Sequence, residues 1–339
     1  MSSISTMCYR LLIVPTFLSL FTPPLFAESD PPETFVSLQM ENDFFASSGD
    51  RYYTHGTQLS VLKREEPPEG LSRLAEWVPF YEQGEQLSLV NYTFGQKIFT
   101  PDETEGTSVV EDDRPYAGYL YASVAVLSQI SSSDQVDYGN MFDITIGIVG
   151  PSAMGEQAQT GFHDLVGIDS PEGWDNQLED ELAIGLSYSR FWRLVRPISQ
   201  GLELGVAPHM TMVVGNAYTY GAGGVMFRLG DGLKRDLNPP NIRPGFPGLA
   251  YFRQGAEPSW YLFLGFETRL IARNIFLDGN TFKDSHSVEK ENLVGDMQFG
   301  LVYLFDRWRL SFSNMLRTKE FTTQENNTHY GAVNITYGF

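Results

Sequence analysis

The stretch Met141–Val149, MFDITIGIV, decides the fold. Phe142, Ile144, Ile146 and Ile148 occupy the even positions. Asp143, Thr145 and Gly147 occupy the odd ones. A period of two puts successive side chains on opposite faces of a strand. An apolar face backed by Asp and Thr is the pattern of a strand with lipid on one side and a polar interior on the other.

The same alternation recurs along the chain. In Val36–Glu41 the even positions are apolar and the odd ones polar. At the end, Val333, Ile335, Tyr337 and Phe339 alternate with Asn334, Thr336 and Gly338. Twelve strands of roughly 10 residues, the length of a tilted membrane strand, are predicted near 34–45, 53–63, 86–98, 117–129, 138–149, 181–195, 201–213, 218–229, 259–272, 292–305, 307–317 and 328–339. The expected fold is therefore all-β, a twelve-stranded antiparallel transmembrane β-barrel. A short helix over 156–166 is expected within one long extracellular loop.

Bulk properties agree. The 339 residues carry a formal charge of −19 and are 42% hydrophobic. Such acidity argues against a nucleic-acid partner and suits a surface that recruits divalent cations. No apolar run beyond residue 27 approaches the ~20 residues of a spanning helix. Residues 1–27, with Arg10 before an apolar run that closes on Ala27, read as a signal peptide. Residues 28–339 then form a single barrel domain. The one cysteine, Cys8, falls in the leader, so the mature chain has no thiol chemistry and no disulfide. The terminal Phe339 resembles the signal by which bacterial outer-membrane barrels engage their assembly machinery. The chain is expected in the outer membrane of a Gram-negative bacterium, as a monomer.

An even strand count puts both ends at the periplasm. Segments 46–52, 99–116 and 150–180 then lie outside and hold most of the polar chemistry. Segments 64–85 and 230–258 are periplasmic. The second, with Asn238-Pro239-Pro240 and several glycines, reads as an irregular plug or flap.

Two outside segments stand out. In ENDFFASSGDRYYTHG (41–56), Asn42 shares the face of Leu38 and Met40, and Asp43 that of Glu41. With Asp50 and Thr54 nearby, these are hard oxygen donors that suit calcium better than zinc. Read alone, polar loop capping is the plainer explanation. In the helix of 156–166, Gln159 and His163 stand four apart on one face, and Leu165 and Val166 are expected to dock on the barrel. His163 carries an imidazole, the side chain suited to general-base work near neutral pH, and His55 is the rival. A solvated loop histidine remains the plain alternative. Gly221-Ala222-Gly223-Gly224 reads as close packing or a bulge. No G-x-S-x-G elbow and no H-E-x-x-H helix occurs.

Three blocks together resemble the LpxR family of outer-membrane lipid A 3-O-deacylases. They are ENDFF with DRYYTHG, DDRPYAGYLY from Asp112, and GPSAMGEQAQTGFHDLVG with GWDNQLEDE. The segment ETRLIARNIFLDGN from Glu267 adds to them. The resemblance implies a lateral site near the outer leaflet, and calcium-dependent hydrolysis of the acyl ester at the 3-position of lipid A. It implies Asn42, Asp43, Thr54 and His163 as the active residues, with Asp43 and Asn42 toward calcium. Lipid A of lipopolysaccharide is then substrate and partner. Two departures are visible: Asp169 stands where the family carries a longer acid, and Thr104–Asp113 has no basic residue for lipid phosphates. An outer-membrane phospholipase and a non-enzymatic porin or scaffold are the competing readings.

Overall fold

Alternating patterns become strands because a barrel wall lets every backbone polar group pair with a neighbour, which a bilayer requires. The structure is a computed structural model. It describes residues 33–43, 53–75, 77, 87–104, 106–133, 136–167, 169–237, 251–255 and 257–339. The expected leader, residues 1–27, lies outside these. Among the described residues, twelve antiparallel strands close into a barrel in sequence order, with β1 pairing β12.

The strands are β1 Thr34–Asn42, β2 His55–Lys63, β3 Leu87–Phe99, β4 Ala117–Ser133, β5 Val136–Val149 and β6 Glu181–Ser199. They continue as β7 Leu202–Gly215, β8 Tyr218–Gly230, β9 Ser259–Asn274, β10 Leu293–Phe305, β11 Trp308–Arg317 and β12 Thr328–Gly338. Among the described residues three α-helices lie in connections: α1 Glu69–Ala75, α2 Gly155–Val166 and α3 Ile275–Asp278.

Parity holds. On β1, Ser37, Gln39 and Glu41 are buried inside, while Leu38 and Met40 are exposed on the outer wall. Closure is stitched inside by Ser37 Oγ and Thr336 Oγ1 at 2.7 Å. The interior is ionic just below the rim away from the chain ends. Asp296 takes Arg317 Nε on one oxygen and Arg269 Nη2 on the other, each at 2.7 Å.

Both mouths of the barrel are filled. At the rim away from the chain ends, α3 buries Ile275, Phe276 and Leu277, and Phe276 stacks on Phe99 at 4.2 Å. At the rim of the chain ends, the β8–β9 connection folds inward. Asp236 bridges Phe252, and Leu233, Leu237, Tyr251 and Phe252 pack with Phe35, Leu62 and Leu89. The expected plug is present in its described residues.

Asp236 fastens that plug. Its carboxylate accepts from Arg309 Nε and Tyr261 Oη, each at 2.7 Å. Its carbonyl accepts from Arg193 and Arg228, each at 3.2 Å. In the glycine run of β8 only Gly224 is tightly packed: a Cβ there would fall 2.6 Å from His209 Nε2.

Candidate active site on the outer wall

The site begins at the end of the first hairpin. Asn42 and His55 are cross-strand partners at the far rim. Asn42 continues the outward face of Leu38 and Met40. Its Nδ2–H donates to the Thr54 carbonyl at 2.9 Å. A carbonyl only accepts, so this contact fixes which fork of the amide is nitrogen and leaves Oδ1 on the other side. Asn42 Nδ2 also lies 3.5 Å from His55 Nδ1. Thr54 Oγ1 pairs with Thr100 Oγ1 at 2.7 Å. Asp43, only 1% exposed, follows directly.

Beneath this hairpin end, Tyr53 donates its hydroxyl to the Glu41 carboxylate. Burial first, then the Glu41 charge, holds the Tyr53 phenol well above its ordinary value. It therefore stays a proton donor that braces the turn.

The second half comes from α2, which lies outside the barrel across the ends of β3 and β4. Ile98 of β3 and Tyr116, just before β4, are covered there by Trp174 and Ala158. Gln96 Nε2 donates to the Ala153 carbonyl at 2.7 Å. The helix sits close because Gly118 and Gly155 face each other. A Cβ on Gly118 would fall 3.0 Å from Gly155 N and 3.2 Å from Ala153 Cβ. The helix stops at Gly167, whose φ of 76° is the left-handed C-cap that glycine adopts freely, with its N–H on the His163 carbonyl.

Gln159 and His163 share the wall-facing side, 3% and 5% exposed. Trp174 Nε1–H donates to Gln159 Oε1 at 3.0 Å. His163 Nδ1 lies 2.7 Å from the Asp169 carbonyl. Because a carbonyl cannot donate, Nδ1 carries the proton, and in the neutral ring Nε2 holds the lone pair. Asp169 thus meets His163 through its backbone and not through its carboxylate.

The expectation that Leu165 docks on the barrel is corrected: Leu165 is 83% exposed. Two residues are about 200° of helical turn, so a helix that seats His163 on the wall aims Leu165 away.

The two halves meet through aromatic rings. Phe162 stacks on His55 with centroids 6.3 Å apart, and Phe162 contacts His163 edge-on at 6.3 Å. His55 is the cross-strand partner of Asn42, so Phe162 sets the His163 turn of α2 beside the Asn42 end of the first hairpin. Asp50 lies outside the described residues. Sequence reasoning missed Phe162 and Trp174, which carry no chemistry of their own but set the helix against the strands.

The block around Arg114 is structural here. Asp113 accepts from the Asp102 and Arg114 amides, both at 2.7 Å. Arg114 is buried over the Phe99 ring at 5.0 Å and lies 3.6 Å from Glu320.

The oxygens of Asp43 and Asn42 are the ligand type that calcium takes, and so fit that ion in kind. Among the described residues no cluster of three or more His, Cys, Asp or Glu forms a metal site. A calcium ion here would draw on amide and backbone oxygens as well as Asp43.

A closed twelve-stranded barrel with an apolar outer face is the architecture of an outer-membrane protein. Comparison with known proteins narrows this. The family described as outer membrane protein LpxR matches residues 12–339, and the chain belongs to that family. The solved structure of LpxR from Salmonella typhimurium matches with a TM-score of 0.71 at 20% identity, covering 90% of this chain and 100% of that one. The β domain of the Bordetella autotransporter BrkA is more distant, with a TM-score of 0.48 at 10% identity, covering 91% and 100%. No curated protein sequence matches.

Proposed function

We propose that this protein removes the 3-O-linked acyl (acyloxyacyl) chain from lipid A in the outer leaflet, by water that His163 activates. Membership of the LpxR family supports an outer-membrane lipid A deacylase. One observation carries the finer reading: His163 is buried against the outer wall with Nδ1 engaged on a carbonyl, so that Nε2 is the basic atom.

In this reading the rim bearing α2 faces outside. The substrate ester reaches the patch sideways from the leaflet, and no passage through the barrel is needed. His163 Nε2 takes a proton from water as its oxygen bonds to the acyl carbonyl carbon. The tetrahedral intermediate collapses by breaking the bond to the sugar oxygen. That oxygen leaves with the proton from His163, giving free alcohol and carboxylic acid. Asn42, oriented by the Thr54 carbonyl, and Asp43 would hold calcium. When bound, the ion polarises the acyl carbonyl and stabilises the developing oxyanion. Thr54 supplies a positioning hydrogen bond.

The filled lumen disfavours a porin. The test is mass spectrometry of lipid A from cells producing wild type or His163→Ala, with calcium present. Wild type is expected to remove one 3-O-linked acyl unit and the variant none. Unchanged lipid A beside folded wild-type barrel would sink the enzyme reading.

A further inference from the structure

The helix α1 has no part in the site above; it lies on the outer face of β4 and β5, nearer the rim of the chain ends. It interrupts the β2–β3 connection at the rim of the chain ends, yet it does not hang below the barrel. Leu71 and Ala75, one turn apart, are buried against Val126 of β4 and Phe142 of β5, with Val124 and Ile144 alongside. All four wall residues are at even positions on β4 and β5, the outward face. Glu65, earlier in the same connection, accepts from Tyr92 Oη on the outer face of β3 at 3.3 Å. The connection therefore climbs the outside of the barrel.

The free ridge of α1 is apolar. Leu74 is 52% exposed and Trp77, just beyond the helix, 87%. They stand three apart, beside the buried stripe of Leu71 and Ala75. The charged residues Glu69 and Arg73 pair with each other in the open at 2.5 Å, and Lys63 and Arg64 are exposed nearby.

The height of α1 on the wall is set by register. Val126 pairs with Phe142, and Phe142 with Tyr188. One pair lower the outward row turns polar, through Ser128, Asn140 and Arg190. Below that, Arg190 lies over the rings of Tyr138 and Trp192, at 4.7 and 5.6 Å. An aromatic and basic row of this kind marks the bilayer interface. Two residues of strand are about 7 Å, so α1 lies roughly that far inside the polar row. Interfacial helices bury their apolar side about 5–10 Å into the headgroup and acyl boundary.

We propose that α1 and Trp77 form a monotopic anchor in the phospholipid leaflet on the side of the chain ends. Leu74 and Trp77 enter the lipid, and the exposed charges stay at headgroup level. The occupant of this face is lipid because the face continues the barrel's own lipid-facing wall. Such an anchor fixes the barrel's depth and tilt, and with them the level at which the far rim meets the other leaflet.

Cys8 is the one cysteine of the chain, so in a Cys8→Ser background single nitroxides can be placed cleanly. Labels would be attached to Leu74→Cys, Trp77→Cys, the wall control Leu59→Cys and the connection control Glu66→Cys. Each barrel would be folded, at high dilution, in vesicles of phosphatidylethanolamine and phosphatidylglycerol. Collision with dissolved oxygen would be compared with collision with a water-soluble nickel chelate. Folding is verified for each variant by heat-modifiable migration, and the two anchor positions back each other up. At positions 74 and 77 the oxygen-to-nickel ratio is expected to exceed that at position 66 several-fold and to approach that at position 59. A ratio at both positions equal to that at position 66 overturns the anchor. Dipolar broadening between labels on separate chains also overturns it, in favour of a second copy as occupant.

Discussion

His163 Nδ1 donates to the backbone carbonyl of Asp169, six residues on, at 2.7 Å. The proton on Nδ1 is therefore placed by main chain, and the Asp169 carboxylate is spare to that contact. Replacing the residue should not disturb the tautomer. Asp169→Ala is expected to keep deacylation within about threefold of wild type. His163→Ala is expected to lose on the order of 10²–10⁴-fold, the usual worth of a general base. Acyl release from purified lipid A reads both. An Asp169→Ala loss as deep as that of His163→Ala would assign a role to the carboxylate itself.

Gly118 tests whether α2 must lie flat. Valine there puts a branched side chain where Gly155 N and Ala153 Cβ are already 3.0 and 3.2 Å from the first carbon. The bed of the helix should lift, and His163 with it. The barrel pairing of β4 with β3 and β5 is untouched by an outward methyl. Activity of Gly118→Val is expected to fall at least about tenfold, with heat-modifiable migration unchanged. Retained activity would show that the close approach is packing without consequence for the site.

The strands were legible because lipid outside and polar groups inside impose a period of two. Every predicted strand is found. The structure runs β4 to Ser133 and β6 to Ser199, where strands extend past the apolar band and pairing no longer shows as alternation. Seven-residue α1 escaped because two buried positions, Leu71 and Ala75, are too few to establish a helical period. In the site, Asn42 was legible from parity and the Gln159–His163 face from spacing. The Asp169 contact was not, since any residue supplies a carbonyl. Nor was the docking side of α2: the polar stripe faces the wall, against the usual rule that apolar residues do so.

In the proposed mechanism calcium dependence would turn on Asp43, which follows Asn42 at the hairpin end. A chelator is expected to abolish acyl release and added calcium to restore it. Asp43→Asn keeps the size and an oxygen but removes the charge. It is expected to raise the calcium concentration for half-maximal activity by at least about tenfold. Full activity of wild type in excess chelator would remove calcium from the mechanism and leave His163 standing.

Asp236 joins the inward plug to the wall through Arg309 and Tyr261. Removing one partner of a buried ion pair leaves a charge uncompensated, at a cost of about 3–5 kcal/mol. Asp236→Ala should loosen the plug while the twelve strands stay paired. In planar bilayers wild type is expected to show little conductance, and the variant to open intermittently. A variant as silent as wild type, with unchanged thermal unfolding, would mean that the apolar packing of Phe252 and Leu233 suffices.

Glu320, in the loop before β12, supports the crown by its charge. Burial alone would raise its value, but Arg317, Arg114 and Arg269 together hold it below the ordinary 4.5. A carboxylate lowered by folding contributes stability that is complete above its unfolded value. That contribution is lost as pH falls through the lower, folded value. The loss therefore falls in the acid range below about 4.5, and neutral pH leaves it intact. Glu320→Gln should be less heat-resistant than wild type at pH 7, because Arg114 and Arg317 lose a carboxylate neighbour, although Arg317 keeps Asp296. The gap should narrow as the pH drops toward 3. Heat-modifiable migration across that range measures it, and a gap that stays constant with pH would show that the Glu320 charge is not what secures the loop.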